Sequence, residues 1–197
     1  MIIYRKATIN DATAIANLLL ERLPSDPLFV ILGSNMTIKK FVPLMIKKAI
    51  CFVAEEKISS RIIGVIILQN KNVNNFYFLK TIKIKDFFTI FFNSIKRKSV
   101  LLVLNAILFS IINLKKPGNL ELLYIVVAKK MDRKNIGTCL VSESVINVQQ
   151  ECILWVKTLS KNTNAIKFYK KNEFKVEKNT YGRTMLSRYI SHGSLMK

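Results

Sequence analysis

The strongest constraint on the fold is a long apolar run, LELLYIVV, at residues 120–127. Leucine, isoleucine, valine and tyrosine in such a run predict a β-strand. A basic loop follows at residues 128–135, and Gly137 lies in the first turn of a helix predicted to extend to about residue 149. This turn is predicted to bind an anion. Free amide groups and the positive end of the helix dipole lie at the helix start, and the lysines of the loop add positive charge.

The rest of the chain alternates short strands with helical patterns. The spacing of apolar residues and the positions of prolines and polar caps predict these elements: a strand at 2–6, a helix from about Asp11 to Leu23 that Pro24 and Pro27 end, a helix at 37–48, an antiparallel hairpin of 51–55 with 62–68, a strand at 152–159, a helix at 162–171, and closing strands at 175–177 and 184–189. The length is that of one ordinary domain, which we place at residues 1–190, with a short tail at 191–197.

Residues 76–116 interrupt this order with aromatic and aliphatic clusters separated by Lys96, Arg97 and Lys98. Two helices fit the pattern, and the uncharged stretch 99–114 is shorter than the roughly 20 residues that cross a bilayer. We interpret the segment as a helical insert packed against the core. The alternative is a surface-lying helix or substrate lid that makes peripheral contact with an anionic membrane.

The charge of the chain is strongly positive, with 32 Lys and Arg against 12 Asp and Glu and a net charge of +20. Such a surface attracts anions, although an overall bias toward Lys, Ile and Asn explains the charge equally well. The basic residues are dispersed, and no recognition helix or stacking motif is present, so the sequence argues against nucleic acid as the partner.

The three cysteines lack metal-ligand spacing and the single histidine, His192, lies in the tail, so we expect no bound metal. The N-terminus lacks the apolar run and cleavage site of a secretory signal. These features predict a cytoplasmic protein, which is membrane-peripheral if residues 76–116 bind lipid.

The helix predicted at 162–171 carries the most specific motif in the chain. The segment reads NTNAIKFYKKNEF and has Asn162, Ala165, Tyr169 and Phe174 in a fixed spacing. It resembles the Asn-x-x-Ala-x-x-x-Tyr helix and the following Gly-Phe-like turn of the GNAT superfamily of N-acetyltransferases.

The loop before the preceding helix matches that superfamily only in part. Its usual form is (Arg/Gln)-x-x-Gly-x-(Gly/Ala), and this chain keeps Gly137 but has Asp132 and Asn135 at the other two diagnostic positions. Asparagine tolerates positive φ better than most residues, so Asn135 is a plausible substitute for glycine. Asp132 is less favourable beside a phosphate, and Arg133 could compensate for it. A degenerate, non-catalytic member of the superfamily is the alternative.

The resemblance implies a mixed, mostly antiparallel central sheet flanked by helices, here with a helical insert before the central strand. It also implies acetyl-CoA as the acyl donor and a small-molecule amine as the acceptor. The insert is similar to that of a subgroup associated with surface-polysaccharide or modified-sugar biosynthesis, which would make the acceptor an amino sugar or a nucleotide-linked sugar. A lipid-linked acceptor at a membrane surface and a homodimer are further hypotheses.

The resemblance also assigns roles to individual residues. The backbone of the central strand would pair with the pantetheine arm, the loop and helix start would hold the phosphates, and the motif helix would border the arm. The residues that this places at the cofactor are Ile125, Val126, Val127, Asp132, Arg133, Lys134, Asn135, Ile136, Gly137, Thr138, Asn162 and Ala165. Tyr169 would stand near the thioester sulfur and donate a proton to the leaving thiolate, or at least hydrogen-bond it.

The attacking amine also needs a base, and Glu121 is the best acidic candidate. By the two-residue period of a strand, Glu121, Leu123, Ile125 and Val127 share one face. A lone carboxylate among apolar neighbours could have a raised pKa. We therefore predict Tyr169 and Glu121 as the catalytic residues.

Overall fold

The computed structural model describes residues 1–70, 118–148 and 150–191. Its strands are β1 (Ile2–Lys6), β2 (Ile50–Glu56), β3 (Arg61–Asn70), β4 (Leu120–Val127), β5 (Cys152–Leu159), β6 (Lys175–Thr180) and β7 (Arg183–Ile190). Its α-helices in these ranges are α1 (Ala12–Arg22), α2 (Pro27–Met36), α3 (Val42–Lys48), α4 (Ile136–Ile146) and α5 (Thr163–Lys171), and a π-helical turn, Thr37–Phe41, joins α2 to α3. The predicted helical insert at 76–116 lies outside the described residues.

The seven strands form one sheet in the order β1-β2-β3-β4-β5-β7-β6. Neighbouring strands are antiparallel except β4 and β5, which are parallel. A parallel pair needs a crossover connection, and α4 lies in the segment that makes it. The prediction of a mixed, mostly antiparallel sheet flanked by helices is therefore confirmed.

Helix α2 is an element that the sequence analysis does not predict. Pro24 and Pro27 indicate a break, and α1 does end at Arg22, but Pro27 also occupies the first turn of α2, where a proline removes no helical hydrogen bond. Asp26 caps the helix, since its Oδ1 accepts a hydrogen bond from the N–H of Leu28 at 2.9 Å. Pro27 thus begins a helix, and α1 has already ended five residues earlier.

A β-bulge interrupts the alternation of residues along β4. Ile67 of β3 pairs with Tyr124, and the next residue, Leu68, pairs with Leu122, so Leu123 is an extra residue between them. An extra residue in one strand reverses the facing of the residues beyond it.

The bulge corrects one prediction about the candidate base. Counting across Leu123 places Glu121 on the same face of the sheet as Tyr124. Ile125 and Val127 lie on the opposite face, so the prediction that Glu121 shares a face with them is wrong. The two-residue period fails here because it assumes an uninterrupted strand.

Different helices cover the two faces of the sheet. On the first, which we call the α2 face, the ring of Tyr124 lies 5.2 Å from that of Phe29 and 6.3 Å from that of Phe41, measured between centroids. On the second, the α4 face, helix α4 approaches the main chain of β3 at Gly64, where a Cβ atom would lie 3.0 Å from Leu140 Cδ1. Residues 62–69 of β3 are accordingly buried throughout. Over the ranges that the structure describes, no helix has the length and apolar character to cross a membrane.

Candidate functional site

The candidate site lies where β4 and β5 diverge. The two parallel strands pair at three positions only, of which the last is Leu122 with Val156. Beyond that point, and within the described ranges, β4 pairs with β3 alone, which leaves its other edge open. An open strand edge presents main-chain N–H and C=O groups to an extended ligand. Along this edge lie the residues predicted to pair with pantetheine, Ile125, Val126 and Val127.

The turn between β4 and α4 has a backbone suited to an anion. Arg133 and Asn135 adopt positive φ angles of 63° and 57°, so Asn135 does have the conformation that a glycine would supply. Asn135 is the N-cap of α4, but its side chain makes no capping hydrogen bond. The N–H groups of the first helical turn, at Gly137 and Thr138, therefore face the loop without that cap. Arg133 and Lys134 are exposed in the same loop.

Ion pairs and hydrogen bonds keep the surroundings of this turn positive. The carboxylate of Asp132 is paired with Arg22 at the end of α1, with Nη2 3.2 Å from Oδ1. Lys171, in the last turn of α5, donates a hydrogen bond from Nζ to Oδ1 of Asn135 at 3.2 Å. Sequence reasoning did not select Lys171, because only the packing of α5 beside α4 brings it to the turn. Asp132 thus faces a cation, and a lysine from α5 adds its charge to the lysines of the loop.

At two of the predicted cofactor residues, Ile136 and Gly137, the Cβ direction points into packed protein and not toward a ligand. Ile136 is 1% exposed and contacts the main chain of β3 at Gly64. A Cβ atom at Gly137 would lie 3.1 Å from Cε2 of Phe168, so this glycine permits α4 and α5 to approach each other. The loop pattern suggests that the glycine makes room for a phosphate, but its missing side chain points at Phe168 instead. Only the main chain of Ile136 and Gly137 is available to a ligand.

The motif helix begins with a side-chain cap. Asn162 is the N-cap of α5, and its Oδ1 accepts a hydrogen bond from the N–H of Ala165 at 3.1 Å. The oxygen of the amide is therefore occupied by the helix, and its NH₂ group is the part that can donate to a ligand.

Tyr169 lies in the core near the end of α5. Its side chain is 7% exposed, and its ring lies 5.3 Å from that of Phe168 and 5.5 Å from that of Phe174. Burial raises the pKa of Tyr169 well above its ordinary value, so the hydroxyl holds its proton at neutral pH. A protonated hydroxyl in this setting can act as a hydrogen-bond donor or a general acid.

Glu121 approaches the divergence of the strands from the α2 face. It is 8% exposed and lies in register with Gln69 of β3 and Trp155 of β5. Tyr169 belongs to α5, which packs beside α4 through the contact of Phe168 with the start of that helix. The two predicted catalytic residues are thus carried by opposite sides of the sheet.

The α2 face also contains polar residues that sequence reasoning missed. Burial raises the pKa of Tyr124, and the nearby carboxylates of Asp26 and Glu121 raise it further. Burial likewise raises the pKa of Asp26, while hydrogen bonds from the start of α2 and the charge of Arg183 oppose that rise. These side chains come from α2, β4 and β7, so their proximity has no local sequence signal. Together they form a polar cluster beside the diverging strands.

Comparison with known proteins gives a family and a fold. The model of the acetyltransferase (GNAT) family matches residues 37–174. A search of curated proteins finds no match.

Solved structures, two of them described as acetyltransferases of the GNAT family, resemble nearly all of the chain. One from Bacillus cereus ATCC 10987 has a TM-score of 0.61 and 12% identity, covering 98% of this chain and 99% of its own. One from Staphylococcus aureus Mu50 has a TM-score of 0.60 and 12% identity, covering 97% of this chain and 100% of its own. Arabidopsis thaliana NAA60, solved in complex with acetyl-CoA, has a TM-score of 0.57 and 13% identity, covering 96% of this chain and 99% of its own. At these identities the likeness shows the fold.

Proposed function

The chain belongs to the GNAT family of acetyltransferases, and we propose that it transfers the acetyl group of acetyl-CoA to an amine of a small molecule. The observation that carries this proposal is the open edge of β4 beside a turn of positive φ residues that begins α4. A ligand with phosphates at one end and an amide-containing arm matches an open strand edge next to a helix start. Acetyl-CoA has that form and supplies the acetyl group as a thioester.

We assign the phosphates to the turn and the arm to β4. The groups that support the phosphate assignment are the main-chain N–H groups at 135–138 and the side chains of Arg133, Lys134 and Lys171. Asp132 does not oppose this assignment, because its carboxylate is paired with Arg22. The main chain at 125–127 would pair with the arm, while Ala165 and the NH₂ group of Asn162 would border it.

Tyr169 and Glu121 are the proposed proton donor and proton acceptor. The protonated hydroxyl of Tyr169 donates a hydrogen bond to the departing sulfur in this proposal and gives up its proton as the C–S bond breaks, after which solvent returns a proton to the tyrosine. Glu121 receives the proton of the amine on the α2 face.

The acceptor would bind on the α2 face, where Asp26, Tyr124 and Arg183 lie near Glu121. Amino sugars and nucleotide-linked sugars are the amines that we would test first.

Thermal denaturation with added ligands tests the cofactor assignment. Acetyl-CoA at about one hundred times its Kd should stabilise the protein by roughly 2.7 kcal/mol, whereas adenosine should have little effect because it lacks the phosphates and the arm. An unchanged Tm at millimolar acetyl-CoA would refute the proposal. Turnover is then measured as release of free CoA with each amine.

A further inference from the structure

The only tryptophan of the chain holds a buried hydrogen-bond donor without a partner. Trp155 is 2% exposed and lies in β5 between Glu121 of β4 and Ser187 of β7. In the described part of the chain, its Nε1 is the buried side-chain nitrogen or oxygen for which no hydrogen-bond partner is found. Buried donors are nearly always paired in folded proteins, so this one requires an explanation.

Trp155 lies between a negative and a positive region of the α2 face. Its register neighbour on β4 is Glu121. Lys157 is the next residue of β5 on the same face, and its Nζ lies 6.0 Å from the centroid of the indole. Lys157 pairs with Met185, which makes Arg183 its diagonal neighbour on that face. The indole therefore has a carboxylate at its register position on one side and the Lys157 cation on the other, with Arg183 beyond that lysine.

This row of residues leads into the divergence of the strands. Trp155 pairs with β4 one position before the last paired residue of β5, Val156, and Lys157 is the first residue beyond it. Arg183 also interacts electrostatically with Asp26 at the start of α2. Trp155, Lys157 and Arg183 thus extend from the last paired positions of β4 and β5 toward the side where the acceptor is proposed to bind. Lysine has a flexible stem, so Lys157 can move relative to the indole when a ligand enters.

We propose that the acceptor carries an anionic oxygen group, a phosphate or a carboxylate, which accepts a hydrogen bond from Nε1 of Trp155. Lys157 and Arg183 attract that group, and the amine of the same molecule lies toward Glu121. This inference rests on the proposed acetyl transfer, and it narrows the acceptor from any amine to an amine with a negative group. An amine without an anionic group would leave the indole N–H unpaired.

Tryptophan fluorescence tests the inference directly, because all of the signal comes from Trp155. The protein is saturated with CoA and then titrated with two matched pairs, glucosamine with glucosamine 6-phosphate and glycinamide with glycine. In at least one pair, the member that carries the phosphate or carboxylate should shift or quench the emission at a concentration where the member without that group does not. The two pairs distinguish phosphate from carboxylate. Equal responses within both pairs, or no response to any amine, would overturn the inference.

Two variants separate a ligand contact from a packing role. Lys157→Met should abolish the preference for the anionic member, because it removes a cation and keeps the length of the side chain. Trp155→Phe should raise the KM for that amine about tenfold without changing the Kd of CoA, and its Tm should fall somewhat because the smaller ring leaves a cavity in the core. A lower Tm with an unchanged KM would show that Trp155 only packs.

These experiments distinguish a failure of the anion site from a failure of the proposed acetyl transfer. If CoA produces no thermal shift but the anionic amine still perturbs Trp155, then acetyl transfer fails and the anion site stands. If CoA binds and amines without an anionic group are acetylated as well as their partners that carry one, then only the anion site fails.

Discussion

Lys171 Nζ donates a hydrogen bond to Asn135 Oδ1 at 3.2 Å, which joins the last turn of α5 to the residue that begins α4. The lysine charge thereby lies beside the turn that we assign to the phosphates of acetyl-CoA. We expect Lys171→Met to raise the Kd of acetyl-CoA about tenfold, or about 1.4 kcal/mol, as the loss of one charge-assisted contact would. Isothermal titration calorimetry measures the change.

Lys170→Met is the matched control for that variant, since Lys170 is exposed on the same helical turn and carries the same charge. Its Kd should stay within about twofold of the parent value, the size of a screened long-range effect. Equal losses for both variants would mean that net charge, and not the contact at Asn135, determines the affinity.

Replacing Tyr169 with phenylalanine removes one oxygen from a buried ring and leaves its packing with Phe168 and Phe174. If the hydroxyl protonates the departing sulfur, kcat should fall by roughly 10²- to 10⁴-fold while the Kd of acetyl-CoA stays the same. Steady-state kinetics and calorimetry together decide this. Tyr189→Phe, on an exposed tyrosine, should leave both values unchanged. Full turnover by Tyr169→Phe would reduce Tyr169 to a core residue.

Glu121→Gln should lower kcat and remove the acidic limb of the pH–rate profile, because the amide cannot accept the proton of the amine. Glu177→Gln is the comparison, since Glu177 is a carboxylate of β6 that accepts a hydrogen bond from Ser187. The profile should keep its acidic limb in that variant. An acidic limb that persists in Glu121→Gln would assign the base to another group, with Asp26 the first to examine.

The positive φ of Asn135 predicts a difference between two small substitutions. Asn135→Gly and Asn135→Ala both remove the side chain that contacts Lys171, but only alanine is penalised by the left-handed backbone. The alanine variant should therefore be less stable than the glycine variant by about 1–2 kcal/mol in urea denaturation. Equal stabilities would show that the turn does not hold this conformation in solution.

Acid should remove a defined part of the stability through Asp11. Hydrogen bonds from Arg5, whose Nη1 and Nη2 each lie 2.8 Å from a carboxylate oxygen, lower the pKa of Asp11 from 3.8 to about 2. A lowered pKa stabilises the fold above pH 3.8, and this contribution, on the order of 1 kcal/mol once solvent screening is allowed for, disappears as the pH falls toward 2. Urea denaturation of the parent and of Asp11→Asn should show a stability difference that shrinks across that interval. A difference independent of pH would refute the assignment.

The parts of the structure that follow local rules could be predicted from the sequence. The strand at 120–127, the hairpin before it and the helix that carries Asn162 and Tyr169 depend on periodicity and spacing within a few residues. Helix α2 was not predictable in the same way, because Pro27 signals both the end of one helix and the start of another.

The composition of the α2 face could not be predicted, because it depends on pairing between distant strands. The extra residue Leu123 is visible only against β3, and without it the face of Glu121 is assigned wrongly. The proposed roles of Lys171 and Trp155 depend on contacts with residues that are far away in the chain. The main-chain part of the site is thus encoded locally, whereas its side-chain specificity is encoded by tertiary structure.

The short pairing of β4 with β5 has a mechanical consequence. Strands β1–β4 and β5–β7 form two halves of the sheet, and three paired positions join them along a seam. A ligand bound along the open edge of β4 adds contacts between the two halves, so it stabilises their association as well as taking part in chemistry. Under a pulling force applied across the sheet, the halves should separate at this seam first. If acetyl-CoA occupies that edge as proposed, its concentration would then set how firmly the molecule resists being pulled apart.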